Sequence, residues 1–132
     1  MKIALVGNQN CGKTTLFNLL TGMNQKIGNW PGVTVEKKFG IIKDSENELV
    51  DLPGLYSLTP YSEEERITRD FILNKQCDLI INVIDVSCIE RSLYLTTQLL
   101  EVDVPVIVVC TDTGKKFEIS KDNKTYKSQT KD

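Results

Sequence analysis

The stretch Gly7-Asn8-Gln9-Asn10-Cys11-Gly12-Lys13-Thr14 follows the apolar run Ile3-Ala4-Leu5-Val6 and fits the pattern G-x-x-x-x-G-K-[ST]. A buried strand, a glycine-bearing loop and a helix in that order make a phosphate cradle. The glycines let the backbone curl so that successive N–H groups converge on one anion, and the positive end of the following helix adds to the attraction. In that geometry Lys13 reaches the β- and γ-phosphates and Thr14 ligates magnesium, while Gly7, Asn8, Gln9, Asn10, Cys11 and Gly12 form the wall of the cradle. The stretch points to a nucleoside triphosphate; the plain alternative is a glycine turn with no ligand.

Working outward, residues 2–6 read as a buried strand and 13–20 as a helix that turns Leu16, Phe17, Leu19 and Leu20 to a core before Thr21-Gly22 ends it. Residues 24–31 read as a loop. The β-branched content of 33–42 and 48–52 predicts an antiparallel pair joined at Asp44-Ser45-Glu46-Asn47. Ile67, Phe71 and Ile72 set a helix over 63–74, opened by Ser62 with Glu65 three residues on as a capping box. The Leu/Ile/Val run at 78–86 suits a central parallel strand. Leu93, Leu95, Leu99 and Leu100 set a helix over 89–100, and 104–110 reads as a further buried strand. Alternating strands and helices predict an α/β fold of the P-loop NTPase class, a mostly parallel sheet with helices on both faces. After Cys110 the chain turns polar: 111–132 holds Phe117, Ile119 and Tyr126 as its large apolar residues and reads as a weakly ordered tail.

Composition narrows the chemistry. With 132 residues, 40% hydrophobic and 26% charged, the chain has room for one globular core, and a formal net charge of -2 gives no basis for a nucleic-acid-binding face. No apolar run approaches the ~18 residues that span a bilayer, and Met1-Lys2 leads straight into the first strand, so the cytosol is the expected compartment. Cys11, Cys77, Cys88 and Cys110 are too widely spaced for a metal knuckle and read as thiols, the last three as small core residues and Cys11 as a loop residue of little side-chain consequence. The absence of histidine excludes Ser–His and Cys–His nucleophilic systems, leaving backbone amides, Lys, Thr, Asp and bound ions to do the chemistry.

Two further pieces fit the cradle. Asp51-Leu52-Pro53-Gly54 closes a strand with a D-x-x-G signature, in which the Asp holds magnesium through water and the Gly N–H meets the γ-phosphate. Between cradle and signature lies Gly28-Asn29-Trp30-Pro31-Gly32-Val33-Thr34-Val35-Glu36, a loop whose Thr34 is placed to be a second magnesium ligand when the γ-phosphate is present. Trp30 reads either as a partner-facing aromatic or as a local lid.

With these segments the chain resembles the cytosolic G domain of the bacterial ferrous-iron transporter B family, a Ras-like GTPase domain fused to a membrane permease. The likeness runs through 7–14, 28–36, the segment DLPGLYSL at 51–58, 61–70 and INVIDVSCIERSLYLTTQLL at 81–100, and so covers residues 1 to about 109. It implies GTP as ligand, Mg²⁺ on Thr14, Thr34 and Asp51, and K⁺ held by Asn10 in place of an arginine finger. Switch regions at 28–36 and 51–62 are implied as well, putting Gly32, Val33, Thr34, Val35, Asp51, Leu52, Pro53 and Gly54 against the nucleotide. Lys13, Thr34, Gly54 and Asn10 would act in hydrolysis, and Leu55 stands where a glutamine would position water in other GTPases. The implied partner is a ferrous-iron permease segment, with the domain at the cytosolic face of the cell membrane.

The chain departs from the family after the fifth strand. Where the guanine-reading motif needs an Asn three residues before Asp112 stands Val109, and the second base-reading loop and final helices have no counterpart. That predicts a C-terminally incomplete domain of marginal stability with an exposed strand edge at 106–109. Two functions are open: a slow Mg- and K-dependent GTPase linked to iron transport, or a truncated, non-catalytic nucleotide- or phosphate-binding remnant that has lost guanine specificity.

Overall fold

The computed structural model describes residues 1–8, 11–58 and 62–111 with their side chains, and the backbone of 112, 116–121 and 124–129. β1 (Lys2–Gly7) leads through the glycine loop into α1 (Lys13–Thr21). Then come β2 (Lys26–Asn29), β3 (Glu36–Ile41) and β4 (Glu48–Asp51), followed by α2 (Glu63–Leu73), β5 (Leu79–Asp85) and α3 (Ile89–Leu100). A short 3-10 turn at Val86–Cys88 joins the last two, and β6 (Val106–Asp112), β7 (Lys116–Lys121) and β8 (Lys124–Gln129) follow.

The strands form one sheet in the order β2-β3-β4-β1-β5-β6-β7-β8. Its centre, β4-β1-β5-β6, is parallel, with antiparallel strands on either flank. Alternation along β1 divides the core: Ile3 and Leu5 pack with Leu16 and Phe17 of α1, whereas Ala4 and Val6 pack with Phe71 and Ile72 of α2 and Leu95 and Leu99 of α3. Helices thus cover both faces, and the loops at the carboxyl ends of the parallel strands gather along one edge.

Local chemistry explains the element ends. α1 closes where Gly22 takes φ 63°, its N–H returning to the Asn18 carbonyl. α2 opens on the expected capping box, the Ser62 hydroxyl oxygen accepting from the Glu65 N–H at 3.1 Å. Three helical readings shift. Leu19 of α1 and Leu93 and Leu100 of α3 are exposed, and the buried faces carry Leu16, Phe17 and Thr21 on α1 and Ser92, Leu95, Thr96 and Leu99 on α3. The i, i+3, i+4, i+7 spacing of that α3 face takes in two hydroxyl residues, which an apolar count overlooks. Thr96 accepts a hydrogen bond from the Asn82 amide of β5 and donates to the Ser92 carbonyl, which is why it can be buried.

The flanks differ from expectation. Residues 26–29, read as loop, form edge strand β2 because β3 presents a free ladder to pair with. The strand expected from 33 begins at Glu36, since residues 30–35 are folded into a turn by Trp30 N–H to the Val35 carbonyl and Val33 N–H to the Trp30 carbonyl. The edge of β6, expected to be bare, is paired with β7, and β7 with β8, within the segment read as a weakly ordered tail. Phe117 and Ile119 alternate at the strand period, so the segment can supply a ladder despite its polarity. No helix among the described residues is long and apolar enough to cross a membrane.

Candidate functional site

Gly7, the last residue of β1, has no room for a side chain: a Cβ there would lie 2.7 Å from Cys11 Sγ and 2.8 Å from the Val83 carbonyl oxygen. Gly12 adopts φ +94°, the left-handed region, so that the chain can enter α1 with its first N–H groups turned into the loop. Both glycines of the sequence pattern are required by geometry.

Lys13 then meets the D-x-x-G segment. Its Nζ donates to Asp51 Oδ1 at 2.8 Å and to the Leu52 carbonyl at 2.7 Å, and the Lys13 and Asp51 side chains are only 12% and 10% exposed. Residues far apart in the chain are joined because β4 lies beside β1 in parallel register, Leu5 opposite Asp51. Two backbone bonds extend the junction, Leu52 N–H to the Leu5 carbonyl and Leu55 N–H to the Gly7 carbonyl. Leu55 is fully buried, so its side chain faces the core and offers nothing to a water at the loop.

A cleft of about 450 Å³ opens at this junction, lined by Lys13, Thr34, Val35, Asp51, Leu52 and Pro53 among others. Thr14 and Thr34 are exposed, with hydroxyls accessible to a ligand. Thr14, Gly32, Val33 and Gly54 do not line the cleft itself. Asn8 is buried and lines a separate cavity of about 250 Å³ with Cys11, Tyr56, Asp85, Cys88, Arg91 and Ser92; its Oδ1 has no hydrogen-bond partner among the described residues. Gln9 and Asn10 lie outside the described residues. A larger groove of about 610 Å³ between the end of α1 and the β3–β4 turn lies at the opposite edge of the sheet and contains none of the motif residues.

The structure corrects two cysteine readings and resolves one aromatic. Cys11 belongs to the core beneath the loop, packed with Leu16 and Val83, and burial raises its thiol pKa above the ordinary value, partly offset by the charge of Lys13. Cys88 is exposed rather than core. Trp30 is buried against Phe71 of α2, ring centroids 5.6 Å apart in a T-shaped contact, with the Lys37 ammonium 5.0 Å above the indole. It is neither free nor partner-facing, and the run of glycine and proline around it hid that role. Thr111, expected in the polar tail, is buried and bonded to the loop.

The sequence model of a protein family described as Ferrous iron transport protein B matches residues 1–129. The chain belongs to that family. The match extends past residue 109, beyond the motifs that carry the resemblance. Among curated relatives, the Fe(2+) transporter FeoB of Methanocaldococcus jannaschii is 56% identical over 102 residues, covering 76% of this chain and 15% of that protein. The Escherichia coli K12 transporter of the same name is 54% identical over 114 residues, covering 82% of this chain and again 15% of the relative. Among solved structures, an S. thermophilus NFeoB mutant bound to GDP superposes with a TM-score of 0.79 at 54% identity, over 83% of this chain and 44% of that one. The G domain of the T. maritima FeoB iron transporter gives a TM-score of 0.78 at 48% identity, over 83% of this chain and 70% of that one. The fold is therefore that of the family's G domain, and the chain spans 15% of the length of the two transporters.

Proposed function

We propose that this chain is a guanine-nucleotide-binding domain that hydrolyses GTP slowly and serves ferrous iron transport at the cytosolic face of the cell membrane. The observation that carries the reading is the convergence of Lys13, at the start of α1, with Asp51 at one cleft that Thr34 also lines. The GDP bound to the S. thermophilus relative supports it. On nucleotide entry Lys13 exchanges its two protein acceptors for phosphate oxygens, and the loop N–H groups take the remaining charge. Asp51 is thereby freed to face a metal.

The oxygens of Thr14, Thr34 and Asp51 form a hard donor set that suits magnesium, which here would neutralise charge on the β- and γ-phosphates. Asn10 is the residue proposed for K⁺, and the N–H of Gly54 for sensing the γ-phosphate. Leu55, turned into the core, offers no side chain to position water where it follows Gly54, so turnover of about 10⁻⁴ to 10⁻² s⁻¹ is expected. The permease segment that would couple hydrolysis to iron movement is the proposed partner.

A second reading is favoured by one observation. Val109 is 2% exposed and packed among Leu5, Leu16 and Val83, where it can offer no hydrogen bond to a base. A non-catalytic remnant that holds phosphate without choosing the base follows from that. Phosphate release from GTP in Mg²⁺, with K⁺ against Na⁺, separates the two. The GTPase reading predicts slow release stimulated by K⁺ and abolished in Lys13→Ala, with the stimulation lost in Asn10→Ala; release no faster than in Lys13→Ala leaves the remnant.

A further inference from the structure

We infer that Thr111 is a positioning residue for the phosphate loop, orienting the Gly12 amide through a hydrogen bond to the Cys11 carbonyl. The proposal deepens the nucleotide reading of that loop and rests on it for its consequence, though not for its geometry. Thr111 lies near the end of β6, opposite Asp85 of β5, and is 2% exposed. Its hydroxyl donates to the Cys11 carbonyl at 2.9 Å, with the Ile84 carbonyl farther off at 3.3 Å. A hydroxyl has one proton, and the nearer carbonyl is the better acceptor.

The consequence comes from peptide geometry. The peptide unit joining Cys11 to Gly12 is planar and trans, so its C=O and N–H point in opposite directions. Holding the Cys11 oxygen toward β6 turns the Gly12 N–H away from β6, into the loop where an anion sits. The next peptide unit is fixed differently, by the helix, since the Gly12 carbonyl accepts from the Leu16 N–H at 3.1 Å. Steric contact reinforces the bond: a Cβ on Gly12 would lie 3.3 Å from Thr111 Cγ2, so the Thr111 methyl forms a floor beneath the one residue with φ +94°. Strand alternation puts Val109 on the same side of β6, packed with Cys11. On this strand, then, position 109 supplies apolar packing beneath the loop and position 111 the hydrogen bond that aims it. Neither contact involves a base, so the effect should fall on phosphate and not on guanine.

Thr111→Val keeps the shape and removes the hydroxyl; Thr111→Ser keeps the hydroxyl. In the full chain without nucleotide, the ¹H–¹⁵N resonance of Gly12 should move in Thr111→Val and return toward its original position in Thr111→Ser. Affinity for inorganic pyrophosphate should fall about tenfold in Thr111→Val, the scale of one buried acceptor left unpaired, and recover in Thr111→Ser. The ratio of GDP to ADP affinity should stay unchanged. A Gly12 resonance that ignores the substitution, or equal pyrophosphate affinity in folded Thr111→Val and the unaltered chain, overturns the proposal. If the unaltered chain binds no phosphate ligand while Gly12 still follows the hydroxyl, the nucleotide reading falls and the orienting bond stands. Thr111→Ala, which also lacks the hydroxyl, supplies the same comparison where Thr111→Val does not fold.

Discussion

At the residue scale, the site depends on atoms that have no slack. Gly7→Ala would drive a methyl to 2.8 Å from a backbone oxygen of β5, which cannot rotate away as a side chain could. Overpacking of this kind costs about 1–3 kcal/mol, so a denaturant titration of Gly7→Ala should show a loss of that size together with weakened phosphate binding. A midpoint equal to that of the unaltered chain would contradict the packing. The sequence pattern made this glycine legible, since such a loop needs glycine for close approach at one end, as at Gly7, and for a left-handed φ at the other, as at Gly12. It could not make Thr111 legible, because a threonine at the end of a β-branched strand has no distinguishing mark until the loop folds against it. Cys77 carries a pH dependence of its own. Burial, with the charge of Asp78 adding to it, pushes the Cys77 thiol from 9.0 up to about 11. The folded state therefore holds the proton more tightly than the unfolded one, and its contribution is complete below pH 9 and lost as pH rises toward 11. Thermal midpoints measured between those limits should fall less steeply in Cys77→Ala than in the unaltered chain.

At the scale of elements, Trp30 ties the loop before β3 to α2. The contact with Phe71 joins the segment that carries Thr34 to the helix that follows the D-x-x-G segment, and Thr68 of the same helix donates to the Pro53 carbonyl at 3.0 Å. Among the described residues the buried indole Nε1 finds no acceptor, and an unmet buried donor lowers the net gain of the docked position. Trp30 is the chain's one tryptophan, so the tryptophan emission reports the surroundings of this side chain, Phe71 and Lys37 included. Blue-shifted emission is expected without nucleotide, with a red shift in Phe71→Ala, where removal of the ring costs about 3–5 kcal/mol. Unchanged emission in that variant would mean that α2 does not hold the loop. Helices and central strands were legible in the sequence because their apolar periodicity is set by burial on both sheet faces. The exposed Leu19, Leu93 and Leu100 show where apolar counting misleads: a leucine costs a surface little, whereas buried Ser92 and Thr96 are satisfied by partners that no periodicity displays.

For the whole molecule, the sheet's two margins decide how the domain holds together. β6 contributes Val109 and Thr111 beneath the loop, and β7 pairs with it over Val108 to Asp112. Removing the residues after Asp112 should bare that edge and produce concentration-dependent association, visible as light scattering that rises above that of the intact chain. This margin was the least legible part of the fold, since pairing between backbones rewards polar and apolar side chains alike. Even with the edge covered, α1 is the only helix among the described residues on its face of the sheet, so a thermal midpoint below ~65 °C without nucleotide is expected.

The most direct test of the central claim is competition for the cleft. Fluorescent GTP is titrated onto the full chain in Mg²⁺ and K⁺, then displaced separately by unlabelled GTP and ATP. Micromolar binding displaced far better by GTP than by ATP is the predicted result, and it would mean that guanine is read without an amide at position 109. Equal displacement by the two nucleotides, or no binding at all, would contradict the claim and leave a phosphate loop without a switch.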